Sequence, residues 1–314
     1  MPTRRARVIL GLLGTLAALV LALWLIDWPA LLGAFARLSP GVLLLSAVFS
    51  IATALLLAVR WAILAAGPGD RIGPQEFHDA LVGQAFNMIT PAALGADAYR
   101  VVMAGGREGG RTSAMAMVVL ERLLGFAAYA AAFLLAFAAG VDRLANEFMG
   151  GAAIFFAGTL VVLAVLLIAA RYLAWFGMRL PDFFAPARAR EAIGQVATLP
   201  PWRFWCAVAL TLASLGTWLL CLGIIATASG VDLPAYVIVA IAVVTECARL
   251  LPISIQGIGV REATFAALAV QAGGAGAPAF AACATAYALH FLLSGFLGIA
   301  ARTSFDYKQL RRPG

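Results

Sequence analysis

The sequence predicts an all-α integral membrane protein with about six transmembrane helices and two shorter helical hairpins, arranged as an inverted repeat. Hydrophobic residues make up 63% of the 314 residues and charged residues only 12%, and the mean hydropathy is +0.97. This composition is typical of membrane proteins rather than soluble domains. No remaining stretch would hold a soluble domain of ordinary size, so we expect one polytopic domain over residues 1–314.

Six apolar runs approach or exceed the roughly 20 residues that an α-helix needs to cross a bilayer. In chain order they are residues 8–26, 40–59, 113–140, 151–170, 204–228 and 278–301. The first run follows three arginines, as a signal peptide would, but it is long and no small-residue cleavage site follows it before Asp27. We therefore expect this run to be retained as a membrane anchor.

Basic residues near the ends of these runs predict the orientation, because cytoplasmic loops are enriched in Lys and Arg. They place both termini in the cytoplasm, together with a basic loop at residues 171–203, whereas segments 141–150 and 229–233 are expected outside. We expect a multi-pass protein of the cytoplasmic membrane. Attraction to anionic lipid headgroups explains the net charge of +7 more simply than nucleic-acid binding does. Outside the 171–203 loop, the basic residues that predict the cytoplasmic segments are Arg4, Arg5, Arg7, Arg60, Arg71, Arg107, Arg111, Arg302, Lys308, Arg311 and Arg312.

Two further segments, residues 85–100 and 248–262, place Pro, Gly and charged residues within otherwise apolar sequence. In each, an arginine follows a proline nine positions later, Arg100 after Pro91 and Arg261 after Pro252. Non-helical backbone at membrane depth is tolerated only where protein buries it or where it lines a hydrated cavity. Interruptions at matching places in two halves are typical of transporters built from repeats.

The predicted orientation makes these segments hairpins that enter the membrane from opposite sides. The first half, residues 1–140, contains a hairpin at 76–104, and the second half, residues 151–301, contains one at 235–272. Pro91 and Gly95 shape the first turn, and Pro252, Gly257 and Gly259 shape the second. Re-entrant hairpins would place a site near the midplane, where their tips approach. The alternative is that the second hairpin is two short complete spans.

Acidic and basic residues occur together at four places in the apolar sequence, where one charged residue at a helix centre costs about 2.5 to 3.5 kcal/mol. A planar guanidinium suits phosphate, so we expect some of these arginines to face an anionic headgroup. The alternative is that these residues only pair with one another, for example Glu246 with Arg249 one helical turn away. The predicted substrate-binding residues are Asn87, Asp97, Arg100, Glu121, Arg122, Glu246, Arg249, Gln256, Arg261 and Glu262, and Gln84, Thr90 and Ser254 add hydrogen-bonding groups near the tips.

The sequence predicts no metal site, no cofactor and no catalytic activity. His78 and His290 are isolated, and the four cysteines lack the spacing of metal ligands. We expect His290 to make a hydrogen bond between helices. Neither a Walker A motif nor a nucleophile–base constellation is present in the sequence.

These motifs, taken in order, resemble a known family. The chain is similar to the flippase-like membrane domain of lysylphosphatidylglycerol synthases, the multiple peptide resistance factors, and to its stand-alone relatives. The chain departs from the family at Ile255-Gln256, where relatives often carry a further small residue before the glycines. The resemblance covers nearly the whole chain and rests on Asn87, Pro91, Gly95, Asp97 and Arg100, on Glu121-Arg122, and on Pro252, Ser254, Gly257, Gly259, Val260 and Glu262.

The resemblance implies movement of a lipid between leaflets, either an anionic lipid or a lipid-linked group, with its polar headgroup in a cavity between the two halves and its acyl chains in the bilayer. Two-domain members of the family carry a soluble aminoacyl-transferase domain after the membrane part. The sequence ends at Gly314 without one, so lipid aminoacylation is not implied. The expected partners are membrane lipids. Two alternatives remain, a noncatalytic partner of a separately encoded lipid-modifying enzyme, and an integral-membrane lipid or glycosyl transferase.

Overall fold

The computed structural model describes residues 28–66, 72–87, 90, 94–106, 110–140, 147–175, 194–248 and 256–304, and this part of the chain is helical without β-strands. A 3₁₀ turn at Ala104–Gly106 follows the fourth helix. The helices are α1 (Trp28–Ala36), α2 (Pro40–Ala65), α3 (Pro74–Asn87), α4 (Leu94–Met103), α5 (Gly110–Ala138), α6 (Glu147–Trp175), α7 (Pro201–Ser229), α8 (Ala235–Ala248), α9 (Val260–Gln271) and α10 (Gly276–Ser304).

Five of these helices, α2, α5, α6, α7 and α10, are long and apolar enough to cross a membrane. They confirm the all-α membrane architecture, and their ends differ from the predicted spans by six residues or fewer. The predicted span at residues 8–26 and most of the basic loop at 171–203 lie outside the described residues. The short helix α1 was not predicted. It packs Leu31 and Ala34 against Phe280 and Ala281 of α10.

The two halves repeat one order of helices, a long helix, two short ones and another long one. In the first half these are α2, α3, α4 and α5, and in the second half α7, α8, α9 and α10. The short helices have 14 and 10 residues in the first half and 14 and 12 in the second. At about 1.5 Å per residue, the described part of each is shorter than the roughly 30 Å hydrocarbon core. Three of the four adjoin residues outside the described part of the chain, at 88–89, 91–93 and 249–255, and the re-entrant form of the hairpins stays a prediction.

Contacts at the helix ends show the face on which each hairpin opens. Arg203, at the start of α7, donates to the carbonyl of Ala66, which follows α2. On the same face, the His78 ring in α3 is hydrogen-bonded to the carbonyl of Ala301 near the end of α10. The hairpin α3–α4 therefore opens where α2 and α10 end. Three spans, α5, α6 and α7, separate the hairpins, so the hairpin α8–α9 opens on the other face.

Small residues let these helices approach closely, as is common between membrane helices. Helix α2 packs along α7, its Ala54 and Ala58 are completely buried, and a hydrogen bond of 2.8 Å joins the hydroxyls of Thr53 and Thr217. Gly298 of α10 is in close contact with α3, since a Cβ at this position would lie 2.6 Å from the carbonyl oxygen of Leu81. A larger side chain there would separate α10 from the first hairpin.

The turn of the first hairpin explains the glycine at position 95. A Cβ there would lie 2.4 Å from the carbonyl oxygen of Phe86 and 2.5 Å from the hydroxyl of Thr90. The Asn87 side chain accepts a hydrogen bond from the amide of Ala96 at 2.8 Å, and the Thr90 hydroxyl accepts one from the amide of Gly95 at 2.9 Å. These side chains satisfy the first amides of α4, which have no partner within the helix. Pro91 lies outside the described residues.

The tip of the second hairpin is a left-handed turn. Gln256, Gly257 and Gly259 have φ angles of 55°, 75° and 82°, a region that glycine enters freely and other residues rarely adopt. The carboxylate of Glu262 accepts a hydrogen bond from the amide of Gly259 at 2.6 Å and so caps the start of α9. Pro252, Ser254 and Ile255 lie outside the described residues.

Candidate functional site

A cavity of about 270 Å³ lies between the two halves. The eight helices of the two repeated halves, α2 to α5 and α7 to α10, all contribute residues to its wall. Of the predicted substrate-binding residues, Glu262 caps α9 and is absent from the lining, and Arg249 lies outside the described residues. The others all line the cavity, namely Asn87, Asp97, Arg100, Glu121, Arg122, Glu246, Gln256 and Arg261.

Glu121 lies between two arginines on the first-half side of the cavity. Its carboxylate accepts hydrogen bonds from Arg60 Nε at 3.0 Å and from Arg100 Nη1 at 2.8 Å. Arg60 also donates to the Thr211 hydroxyl of α7 at 2.9 Å, and the Arg100 guanidinium lies 4.7 Å from the ring centre of Trp61. This buried cluster carries two positive charges and one negative charge.

A second ion pair joins α4 to α5. Asp97 Oδ2 accepts hydrogen bonds from Nε and Nη2 of Arg122, at 3.0 and 2.5 Å. The spacing of Asp97 and Arg100 is compatible with pairing inside α4, yet each pairs with α5 instead. Glu121 and Arg122 are neighbours on a helix and point about 100° apart, so they bind different partners. The two ion pairs hold the first hairpin against α5.

The positive charge of Arg261 is contacted by different groups from those around the arginines of the first half. It is only 1% exposed, and one of its terminal nitrogens donates to the main-chain carbonyl of Gln256. The guanidinium lies over the ring of Tyr287, 3.8 Å from the ring centre, and 5.2 Å from that of Phe291. Among the described residues, no carboxylate lies within ion-pair distance of Arg261.

Tyr287 links this arginine to the remaining carboxylate of the lining. Its hydroxyl donates a hydrogen bond to Glu246, which is buried at the cavity wall. Tyr287 therefore has a cation over its ring and an anion at its hydroxyl. The hydrogen bond that fixes its position runs between α10 and α8, the first helix of the second hairpin.

The tips of the two hairpins meet at the cavity. The side-chain amide of Gln256 donates to the carbonyl of Asn87, the last residue of α3. This contact agrees with the expected approach of opposed tips. It also gives a role to Gln256, because its buried side chain spans from one hairpin to the other.

Sequence reasoning missed several residues of the lining. Arg60 was assigned to a cytoplasmic segment, and this assignment is wrong: α2 continues to Ala65, and Arg60 is buried against Glu121. The sequence feature that could have identified Arg60 is a charged residue within an otherwise apolar run. Trp218 and Tyr287 gave no sequence signal. The expected helix-to-helix hydrogen bond of His290 is confirmed, with the Ser50 hydroxyl at 2.9 Å.

Arginines outnumber carboxylates in the described lining, which contains Arg60, Arg100, Arg122 and Arg261 against Asp97, Glu121 and Glu246. Glu262, the neighbour of Arg261 in the chain, is buried just outside the lining and adds a further negative charge. Buried charges within a membrane are costly unless they are paired or hydrated, so the guanidinium groups at the cavity favour an anionic occupant. The described residues contain no cluster of three His, Cys, Asp or Glu side chains that could hold a metal ion.

Comparison with known proteins agrees with this architecture. A family model described as the lysylphosphatidylglycerol synthase TM region matches residues 8–298. No curated protein matches the chain. The match covers all five candidate spans almost completely, both hairpins and every described residue of the cavity lining, and it points to a function related to membrane lipids. The chain belongs to the family of the lysylphosphatidylglycerol synthase transmembrane region.

Proposed function

We propose that this protein moves a phospholipid with an anionic headgroup between the two leaflets of the membrane. The headgroup occupies the cavity between the opposed hairpins, and the acyl chains remain in the bilayer. A polar headgroup needs a hydrated and charge-compensated route through hydrocarbon. The proposed activity is transport without a chemical step.

The observation that carries this proposal is the burial of Arg261 without a paired carboxylate. Its guanidinium is buried at the cavity, and no carboxylate among the described residues pairs with it. A buried charge without a counter-ion is costly, and a lipid phosphate would supply the missing negative charge. The planar guanidinium can bind two phosphate oxygens at once.

The size of the cavity also favours a headgroup. Its volume of about 270 Å³ lies just below the roughly 300 to 1,000 Å³ of pockets that enclose a drug-sized ligand. That volume suits a small polar headgroup rather than two acyl chains. The exposed apolar side chains of Phe86, Leu94 and Ile258, near the hairpin tips, offer a surface on which the acyl chains can lie outside the cavity.

Reconstitution of the purified protein into liposomes tests this function. Phosphatidylglycerol labelled with the fluorophore NBD on an acyl chain is placed in both leaflets, and dithionite is added to reduce only the outer NBD groups. We expect the protein to make the inner pool accessible, so that fluorescence falls further than in protein-free liposomes. Fluorescence that stops at the protein-free level would contradict the proposal.

Two further readouts separate the alternatives. A noncatalytic partner of a lipid-modifying enzyme would move no lipid, and it would co-purify with that enzyme from its native membrane. An integral-membrane transferase would form a new lipid on a chromatogram only when a donor substrate is supplied. We expect neither result for a protein whose activity is lipid movement.

A further inference from the structure

His290 of α10 is a half-buried side chain that lines the cavity. Its ring nitrogens face two hydroxyl groups, with Nδ1 at 2.9 Å from Ser50 Oγ and Nε2 at 3.5 Å from Ser294 Oγ. A hydroxyl group can either donate or accept a hydrogen bond. Both contacts can therefore be kept when the imidazole takes up a proton and both of its nitrogens become donors.

The other histidine of the chain has a different setting. His78 Nε2 lies 2.8 Å from the carbonyl of Ala301, which only accepts, so this nitrogen must donate. His78 is absent from the cavity lining, and Ala301 lies about 16 Å along α10 from His290. An imidazole is the side chain that gains or loses a proton near neutral pH, and at the cavity His290 supplies it.

The charges around His290 link its protonation to the contents of the cavity. The Trp218 ring, with its centre 5.4 Å from that of His290, favours a cation at this place. The Arg261 guanidinium opposes one, because it lies 5.2 Å from the ring centre of the next residue, Phe291, and like charges repel. An anionic headgroup at Arg261 offsets this repulsion. The proton and the headgroup therefore strengthen each other's binding.

The titratable and charged groups near His290 can be assigned helix by helix. Helices α1, α2, α3, α7 and α9 pack against α10. In the described lining α3 and α7 contribute neutral groups only, and α1 contains no ionisable residue. The groups that remain are Arg60 of α2, Glu246 of α8, Arg261 and Glu262 of α9, and Cys283 and Tyr287 of α10 itself. Arg60 is paired with Glu121, and Glu246 accepts a hydrogen bond from Tyr287. Arg261 is therefore the charge that a headgroup changes most.

We propose that His290 is a proton-binding site that couples the movement of an anionic lipid to the movement of a proton. This inference rests on the proposed function and adds a source of energy to it. The imidazole takes up a proton from the cavity as the headgroup reaches Arg261, and it releases this proton when the headgroup leaves on the other side of the membrane. One proton accompanies one negative charge, so the pair crosses without net charge.

A pH gradient across liposomes tests this coupling. Short-chain NBD phosphatidylglycerol is equilibrated with an internal pH of about 6 and an external pH of about 8, which span the range in which imidazole changes charge. The outer pool is measured as the part that albumin extracts rapidly. Because the lipid follows the proton down its gradient, we expect wild-type protein to enrich the probe in the outer leaflet about 5-fold or more, the lower end of typical coupling between two sites. Protein-free liposomes under the same gradient, and proteoliposomes with equal pH on both sides, give the baseline.

Two substitutions of His290 should abolish the enrichment. His290→Asn and His290→Gln stay neutral at both pH values, and their amides can still form hydrogen bonds with hydroxyl groups. Movement that remains in either variant should distribute the probe as it does without a gradient. The matched control is His78→Gln, because His78 is also buried and bonded to another helix but does not line the cavity. This control should keep the wild-type enrichment, and thermal unfolding identifies the variants that are folded.

The outcomes separate this inference from the proposed function. Wild-type protein that moves the probe without responding to the gradient would refute proton coupling while the proposed function stands, and this result needs no variant. A folded His290 variant that keeps the enrichment, or its loss in folded His78→Gln, would refute His290 as the proton site. If wild-type protein moves no probe with or without a gradient, the proposed function fails and the inference fails with it.

Discussion

Replacement of Arg261 by alanine should slow lipid movement strongly while leaving the protein folded. Arg261 has no carboxylate partner among the described residues, so its removal leaves no buried carboxylate stranded. Arg261→Ala loses a hydrogen bond to the Gln256 carbonyl and a contact with the Tyr287 ring. It also removes a buried charge, which offsets part of that loss. We therefore expect the thermal unfolding temperature to change little.

The effect on transport should be larger and graded. A hydrogen bond to a charged group contributes about 1.5 to 3 kcal/mol, so the loss of two such bonds to phosphate costs about 3 kcal/mol or more. That cost corresponds to a rate about 100-fold lower for Arg261→Ala. Arg261→Lys keeps the charge but loses the second bond of the guanidinium fork. Its rate should fall by about tenfold.

The assay is dithionite-detected movement of acyl-NBD phosphatidylglycerol, with thermal unfolding measured on the same preparations. Arg203→Lys is the matched control. Arg203 is a buried arginine that also donates to a main-chain carbonyl and lies 5.3 Å from an aromatic ring centre, but it is absent from the cavity lining. A folded Arg261→Ala protein that moves lipid at the wild-type rate, or an equal loss in Arg203→Lys, would refute the reasoning.

Three other predictions follow from the same structure. In a cysteine-free background, Asp232→Cys should react with an impermeant thiol reagent in intact cells and Ile72→Cys should not; the reverse pattern would invert the orientation. Gly95→Ala should destabilise the first hairpin by about 1 to 3 kcal/mol, because the added Cβ would overlap the main chain. The control is Gly125→Ala, where an added Cβ meets open space, and this variant should unfold at the wild-type temperature in a thermal scan. Glu121→Gln should lower stability by about 3 to 5 kcal/mol, because two buried arginines lose their counter-ion, and a denaturation midpoint equal to that of wild type would contradict this.

The sequence predicted the fold more completely than the partners of individual residues. Apolar run length depends on the bilayer thickness alone, so the five spans were placed within six residues at each end. The span that begins at residue 40 was ended too early, because Arg60 looked like a loop residue. Its burial depends on Glu121, which is 61 positions away in the chain. The periodicity of the sequence does not show which residues so far apart in the chain come into contact.

The residues of the cavity could also be predicted in part from the sequence. Charged and turn-forming residues at unusual depth mark the two hairpins, and most of the residues chosen on that basis line one cavity. Their pairing was not predictable, because the cross-helix bonds of Asp97 and Arg100 depend on how α4 packs against α5. Trp218 and Tyr287 are ordinary aromatic residues in the sequence. Only the packing of the two halves brings them to the cavity.

The most direct test of the account is the identity of the lipid that the purified protein retains. Native mass spectrometry of wild-type protein, Arg261→Ala and Arg203→Lys, each released from the same membrane, compares bound lipid with the bulk composition. We expect a phospholipid with an anionic headgroup to be enriched on the wild-type protein and on Arg203→Lys, and to be lost from Arg261→Ala. Bound lipid that matches the bulk composition in all three proteins would contradict an anionic headgroup site between the hairpins.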